Sequence, residues 1–353
     1  MISKKSVFLL MVFSIILNCI ISQNISSLPI DSNTTRIVFY NLENFFDSFD
    51  DSLTIDDEFT PFGEKHWTWK KFENKTQKIS KVLLSIGEWN MPGIIGFCEL
   101  ENKFVLKKLL YNTPLKSFNY EIIHKDSPDR RGIDVALVYN QDIFVPIHTN
   151  FINIDFPFDS TIKTREILYV KGIFYKIDTL HIFVNHWPSR YGGYLKTVPK
   201  RNYVAKILRE KIDSIQLVFP ASNIIIMGDF NDEPKDESLS KILKAGTASS
   251  EFAAKGLVNL MAFKKENKIE GTLKYRESWN TFDQFIISFS LIDEESFLYI
   301  EPMKNNIYNA TYLLENDNTY LGNKPFRTYT GYKYNGGFSD HLPIFLDIYI
   351  NRK

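Results

Sequence analysis

The segment Ile224-Ile225-Ile226-Met227-Gly228-Asp229-Phe230-Asn231-Asp232 runs an unbroken apolar stretch straight into a glycine, two carboxylates and an amide. An apolar run without alternation reads as a strand buried on both faces, which belongs to a sheet covered on both sides. The polar residues that follow then fall at the sheet's edge. Taken alone, the tail reads equally as a polar turn, because Gly, Asp and Asn all favour turns.

The same design recurs elsewhere. Ile94-Ile95-Gly96-Phe97-Cys98-Glu99 closes an apolar strand with a carboxylate, and Leu180-His181-Ile182-Phe183-Val184-Asn185-His186 closes another with an amide and an imidazole. Near the C-terminus, Gly336-Gly337-Phe338-Ser339-Asp340-His341-Leu342-Pro343 delivers Asp-His to a closing strand, and Trp279-Asn280-Thr281-Phe282-Asp283-Gln284 supplies a further Asp. One histidine or carboxylate after a strand is ordinary. Repeated strand-end polar groups suggest a common rim, and a histidine with carboxylates at hand is what oriented proton transfer requires.

Other short runs rich in β-branched and aromatic residues mark strands at Arg36–Tyr40, Tyr120–His124, Ile133–Tyr139, Ile167–Tyr175, Asn223–Met227, Thr281–Ile287 and Pro343–Tyr349. Helical spacing is rarer. It marks helices between Trp69 and Glu88, from Asn102 to Tyr111, and after Pro199. Pure βαβ alternation would need a helix after nearly every strand, so the chain predicts mixed sheets with helices outside.

With 353 residues, 44% of them hydrophobic and 15% aromatic, the chain can bury a large core without disulfides. Lys+Arg and Asp+Glu both number 42, which excludes a strongly basic field of the kind that drives sequence-blind nucleic-acid binding. A polyanionic substrate must be held locally.

At the N-terminus, Lys4 and Lys5 precede an apolar run from Val7 to Ile21 and the polar Ser22-Gln23-Asn24. This reads as a signal peptide over residues 1–23, too short for a membrane span, and leaves residues 24–353 as one catalytic domain. The expected location is exported, periplasmic or secreted, with lipid anchoring through Cys19 as a lesser alternative. Loss of Cys19 would leave Cys98 as the sole cysteine. The mature chain is expected to be a monomer without a transmembrane span or a stable protein partner. Asn33-Thr34-Thr35 and Asn309-Ala310-Thr311 are glycosylation triplets that matter only in a glycosylating host.

Asn41 with Glu43, then Glu99, Asn185-His186, Gly228-Asp229-Phe230-Asn231, Asp283 and Ser339-Asp340-His341 follow the order of the endonuclease/exonuclease/phosphatase superfamily, which the chain resembles from about Arg36 to Ile350. That group includes deoxyribonuclease I, abasic-site endonucleases, sphingomyelinases and inositol polyphosphate 5-phosphatases. The resemblance implies a four-layer α/β sandwich: two mixed β-sheets face to face, flanked by helices. It also implies a phosphoesterase. By similarity, Glu99 is the main metal ligand, with Asn41 and Asp340 completing or steadying its shell. His186, Asp229, Asn231, Asp283 and His341 are the catalytic set, with proton handling shared by Asp229 and His341.

Glu99, Asp229 and Asp340, if they converge, repel by about 4 kcal/mol per close pair at an effective dielectric near 20, and a divalent cation removes that cost. Oxygen ligands suit Mg²⁺ or Mn²⁺. Arg131, Trp187, Arg190, Arg201 and Arg327 are expected substrate contacts, the arginines for phosphate and the tryptophan for stacking. Abasic-site endonucleases usually carry Gln before the metal-binding Glu where this chain has Cys98, so a repair specificity is not expected.

Three readings follow from these residues. The leading one is a nuclease acting outside the cytoplasm, favoured by the aromatic-plus-arginine loops and the export signal; the alternative is a phosphatase or phosphodiesterase on lipid or small-molecule phosphates, favoured by the balanced charge. A non-catalytic protein on the same scaffold would have lost part of the set Glu99, Asp229, Asn231, Asp283 and His341, and all five are present.

Overall fold

The structure, a computed structural model, describes residues 33–351 apart from 89, 247–255, 263–270 and 305. The leader over residues 1–23 and Cys19 lie outside the described residues. Among the described residues no helix is long and apolar enough to cross a membrane.

Two mixed sheets carry the fold. The strands of the first are β1 (Thr34–Phe45), β2 (Ile94–Leu100), β3 (Tyr120–His124), β4 (Asp134–Asn140) and three C-terminal members described below. The second holds β5 (Phe144–Ile152), β6 (Ile167–Phe174), β7 (Asp178–His186), β8 (Asn223–Asp229), β9 (Ala245–Gly246), β10 (Leu257–Asn259) and β11 (Asp283–Ser288). β12 (Leu298–Ile300) and β13 (Ile344–Ile350) join the first sheet, in the order β12-β13-β1-β2-β4-β3, with the two-residue strand Asn306–Ile307 also paired to β13, while the second runs β5-β6-β7-β8-β11-β10-β9. β1 pairs with β2, and β7 with β8, in parallel; β13 and β11 join antiparallel beside them.

Period-two alternation explains the layers. On β1, Val38 and Tyr40 face the helices α1 (Trp69–Gly87) and α2 (Lys103–Tyr111), while Ile37 and Phe39 face the other sheet. On β8, Ile225 and Met227 enter the space between the sheets, whereas Ile224 and Ile226 pack on Val204, Leu208 and Ile212 of α3 (Tyr194–Val218). All four β8 residues are fully buried, each worth about 1.5–3 kcal/mol by apolar transfer. The result is helix, sheet, sheet, helix, the four-layer sandwich expected.

Two expectations need correction. The helix placed after Pro199 begins at Tyr194 and holds Pro199 inside it. Gly192 and Gly193, at φ 83° and 117°, break the chain just before, and Thr197 Oγ1 donates to the Gly193 and Tyr194 carbonyls of the first turn. β5 is absent from the expected strands: its apolar residues Phe144, Val145, Ile147, Phe151 and Ile152 are split by Pro146 and by His148-Thr149-Asn150, and it is an edge strand with most side chains in solvent and a register irregularity at Pro146.

Candidate active site

Register brings the polar groups together. His186 on β7 pairs with Asp229 on β8, and Asp229 pairs with Asp283 on β11, so three adjacent strands present these side chains at one edge of the second sheet. Across the sandwich, Asn41 of β1 is in register with Cys98, and a bulge after Cys98 turns out Glu99. Gly228 is needed here: a Cβ would lie 2.4 Å from the Asn185 carbonyl oxygen.

The backbone is strained at the same place. Glu43, Asn44, Glu99 and Asn231 all have positive φ, at 48°, 54°, 57° and 52°. Non-glycine residues in that region cost free energy and tend to gather at functional sites.

Asn41 Nδ2 donates to Glu99 Oε1 at 3.3 Å and to Asp229 Oδ2 at 3.1 Å, while its oxygen accepts the Glu43 N–H. His186 Nε2 stands 3.7 Å from both Glu99 Oε1 and Asp229 Oδ2. His341 Nδ1 meets Asp283 Oδ2 at 2.6 Å, which aims Nε2 to within 3.9 Å of Asp229. Asn231 closes the group, its N–H on Asp229 Oδ1 and its amide nitrogen on the Trp187 carbonyl.

Burial sets the protonation states. Burial pushes Asp229 up to about 7, with the His341 cation opposing and Asp283 adding to the rise. For His341 burial works downward, but Asp283, Asp229 and Asp340 outweigh it and hold the imidazolium well above its ordinary range. His186 is held well below it, first by burial and then by Arg165, Arg131 and His341. The two histidines are thus driven apart, one cationic and one neutral, a separation that marks distinct chemical roles.

Glu99, His186 and Asp229 offer ligand atoms within 4.8 Å of one another, and so do Asp229, Asp283 and His341. The first set fits a divalent cation: two carboxylates, one partly open to solvent, beside a neutral imidazole. Beside the expected oxygen ligands this group brings in His186, and Asn41 turns its nitrogen toward the carboxylates, steadying them. Asp340 belongs to neither group, and its Oδ2 accepts from Arg327 Nη2 at 2.8 Å.

The expected substrate contacts divide. Trp187 is 1% exposed, its Nε1 on Asn185 Oδ1 and its ring edge-on to Phe230, so it packs the core under the site and does not stack on a substrate. Arg201 is 0% exposed and pairs with Asp232 at 2.8 Å. Arg190 is taken up by the Asn231 carbonyl, Asp232 and Asp236, clamping the loop after β8. Arg131 remains 54% exposed, paired with Asp129, and Arg327 links Glu43 with Asp340 at the site's edge. Arg201→Ala is expected to lower unfolding free energy by up to about 3 kcal/mol, because it removes one of the two arginines paired with buried Asp232 and leaves only Arg190 and the Ser238 hydroxyl; chemical denaturation would read it.

Glu43, named only by its place in the motif order, and Lys75 and Arg165, which no motif names, stand at the site as well. Glu43 accepts from Arg327 and the Thr328 N–H. Buried Lys75 donates to the Glu43 carbonyl and Thr328 Oγ1, and burial lowers it to about 8 although Glu43 and Asp340 oppose that. Arg165 joins Asp129 to the Trp187 carbonyl. Lys75 was visible as a lysine within the apolar stripe of Phe72 and Ile79; Arg165 stands in no pattern.

The model of the endonuclease/exonuclease/phosphatase family matches residues 36–352, and the chain belongs to that family. Its members are phosphoester hydrolases, generally dependent on a divalent metal, and this chain is such a hydrolase. No curated protein sequence matches it. Similar solved structures include an endonuclease/exonuclease/phosphatase family protein from Bacteroides thetaiotaomicron, at 14% identity and TM-score 0.55, covering 91% of this chain and 99% of that one. A mannosyl-6-phosphatase from the same organism aligns at 14% identity and TM-score 0.54, over 89% and 99%. The human Nocturnin catalytic domain aligns at 17% and 0.52, over 90% and 95%. At these identities the likeness is one of fold.

Proposed function

We propose that the chain is an exported, Mg²⁺-dependent phosphoesterase acting on a small-molecule phosphate ester. The observation that carries this reading is a cavity of about 230 Å³ beside the site, lined by Glu43, Arg327, Thr328 and Tyr329 among others. Arg327 joins the cavity to Asp340, next to His341. Its volume lies below that of pockets for drug-sized ligands. Two of the four arginines expected as phosphate contacts, Arg190 and Arg201, spend their charge on Asp232 and Asp236.

In this reading water attacks phosphorus in line with the leaving oxygen. Asp229, held by Asn41 and the Asn231 N–H, orients the water and accepts its proton. His341, fixed by Asp283, faces the developing charge and supplies a proton to the leaving group. His186, neutral, donates to a non-bridging oxygen or joins the ion's ligands. Glu99 and Asp229 would hold a divalent ion, which would supply charge neutralisation for the phosphate and a lowered pKa for water.

A nuclease is the second reading, favoured by Tyr191, 93% exposed on the loop that follows His186, with Arg131 also open to solvent. Rates on p-nitrophenyl phosphate, bis-p-nitrophenyl phosphate, hexose phosphates, sphingomyelin, inositol phosphates, plasmid DNA and RNA, each with and without Mg²⁺, separate them. Turnover of the small esters at least tenfold above that of nucleic acid is expected; the reverse order would establish the nuclease.

A further inference from the structure

The cavity beside the site holds a cation without a counter-charge. Lys65 Nζ donates to the Gly331 carbonyl at 2.9 Å and stands 5.6, 5.1 and 5.3 Å from the ring centres of Phe59, Tyr329 and Tyr332. No carboxylate among the described residues forms an ion pair with it, whereas Arg327 on the same cavity is shared by Glu43 and Asp340. The two cations therefore differ in what they leave available. Arg327 is paired with two carboxylates, and Lys65 stands on an aromatic wall with no ion-pair partner among the described residues.

The wall is held in place. Trp67 Nε1 donates to the Phe46 carbonyl, Tyr329 Oη to the Lys65 carbonyl, and Lys71 Nζ to the Lys65 and His66 carbonyls. Along α1, Asn74 bonds Tyr334 Oη, Lys75 bonds Thr328 and Lys78 bonds the Gly336 carbonyl, so the helix straps the loop from Phe326 to Phe338 that carries Arg327 to the site. The cavity is preformed and does not need a substrate to order it.

Resting on the small-ester reading above, we infer that this cavity receives the leaving group, and that the preferred substrate carries a second anionic group there, read by Lys65, with its carbon skeleton against Phe59, Trp67 and Tyr329. Such a substrate is a phosphate ester bearing a second phosphate, with one phosphate at Asp229 and His341 and the other at Lys65. A charge-assisted hydrogen bond of this kind is worth about 1.5–3 kcal/mol, or roughly tenfold or more in affinity.

The test is calorimetric binding of fructose 1,6-bisphosphate and fructose 6-phosphate, in Mg²⁺, to Asp229→Asn protein that binds without turnover. The bisphosphate is expected to bind at least tenfold tighter, Lys65→Ala should reduce that ratio to near one, and Lys65→Arg should retain most of it. Lys65 is half-buried at the surface, so both variants should fold. Equal affinities in the parent protein, or a preference that survives Lys65→Ala, would overturn the inference. Failure of the reading beneath it shows differently, as nucleic-acid cleavage without small-ester turnover in wild-type protein.

Discussion

Replacing His341 with alanine is expected to lower kcat by about 10²–10⁴-fold, the range by which a positioned acid or base assists proton transfer. Asp283 holds Nδ1 at 2.6 Å, so Nε2 is aimed at Asp229 before substrate arrives, and three carboxylates keep the ring protonated. Truncation removes that group and leaves Asp283 buried with one partner fewer. A His341→Gln variant, which retains a donor toward Asp283, separates loss of chemistry from loss of packing. Both variants should show the slow turnover, with the alanine variant alone melting earlier. Wild-type kcat in the glutamine variant would take His341 out of the reaction.

Changing Glu99 to Gln should raise the Mg²⁺ concentration for half-maximal rate at least about tenfold and lower kcat/KM with it. The bulge after Cys98 and the positive φ of Glu99 turn this carboxylate toward Asp229 and His186 while leaving it the most open member of the set. Glutamine keeps the shape and removes the charge. The Asn41 amide now meeting Glu99 and Asp229 would lose one charged acceptor, so the effect should appear first in metal affinity. A Mg²⁺ titration of initial rates reads it, and an unchanged midpoint would assign the ion to other residues.

Much of this site is legible along the chain because its residues terminate strands. Glu99, His186 and Asp229 each follow an apolar run, and a buried strand can end in a polar group only where the sheet meets a rim. The parallel and antiparallel registers that set His186, Asp229 and Asp283 side by side are long-range facts that no local pattern carries. The reading failed where local character and burial part company. Trp187 and Arg201 have the side chains of a binding loop, but the turn at Trp187 folds inward onto Phe230 and α3 brings Arg201 under Asp232.

Lys75 illustrates the reverse case. A lysine in an apolar stripe looks like an interruption, and its partners, the Glu43 carbonyl and Thr328 Oγ1, lie 32 and 253 residues away in sequence. The strap it forms could be read only once the loop carrying Arg327 was seen against α1. The cavity lined by Lys65, Trp67 and Tyr329 likewise depends on two distant segments meeting.

The most direct measurement is the hydrolysis of bis-p-nitrophenyl phosphate by the wild-type protein and by Asp229→Ala, each assayed with Mg²⁺ and with EDTA. A phosphoesterase built on Glu99, Asp229 and His341 predicts turnover that requires Mg²⁺, disappears on chelation and falls by at least about 10²-fold in the variant. Turnover that persists in EDTA, or that Asp229→Ala leaves intact, would contradict it.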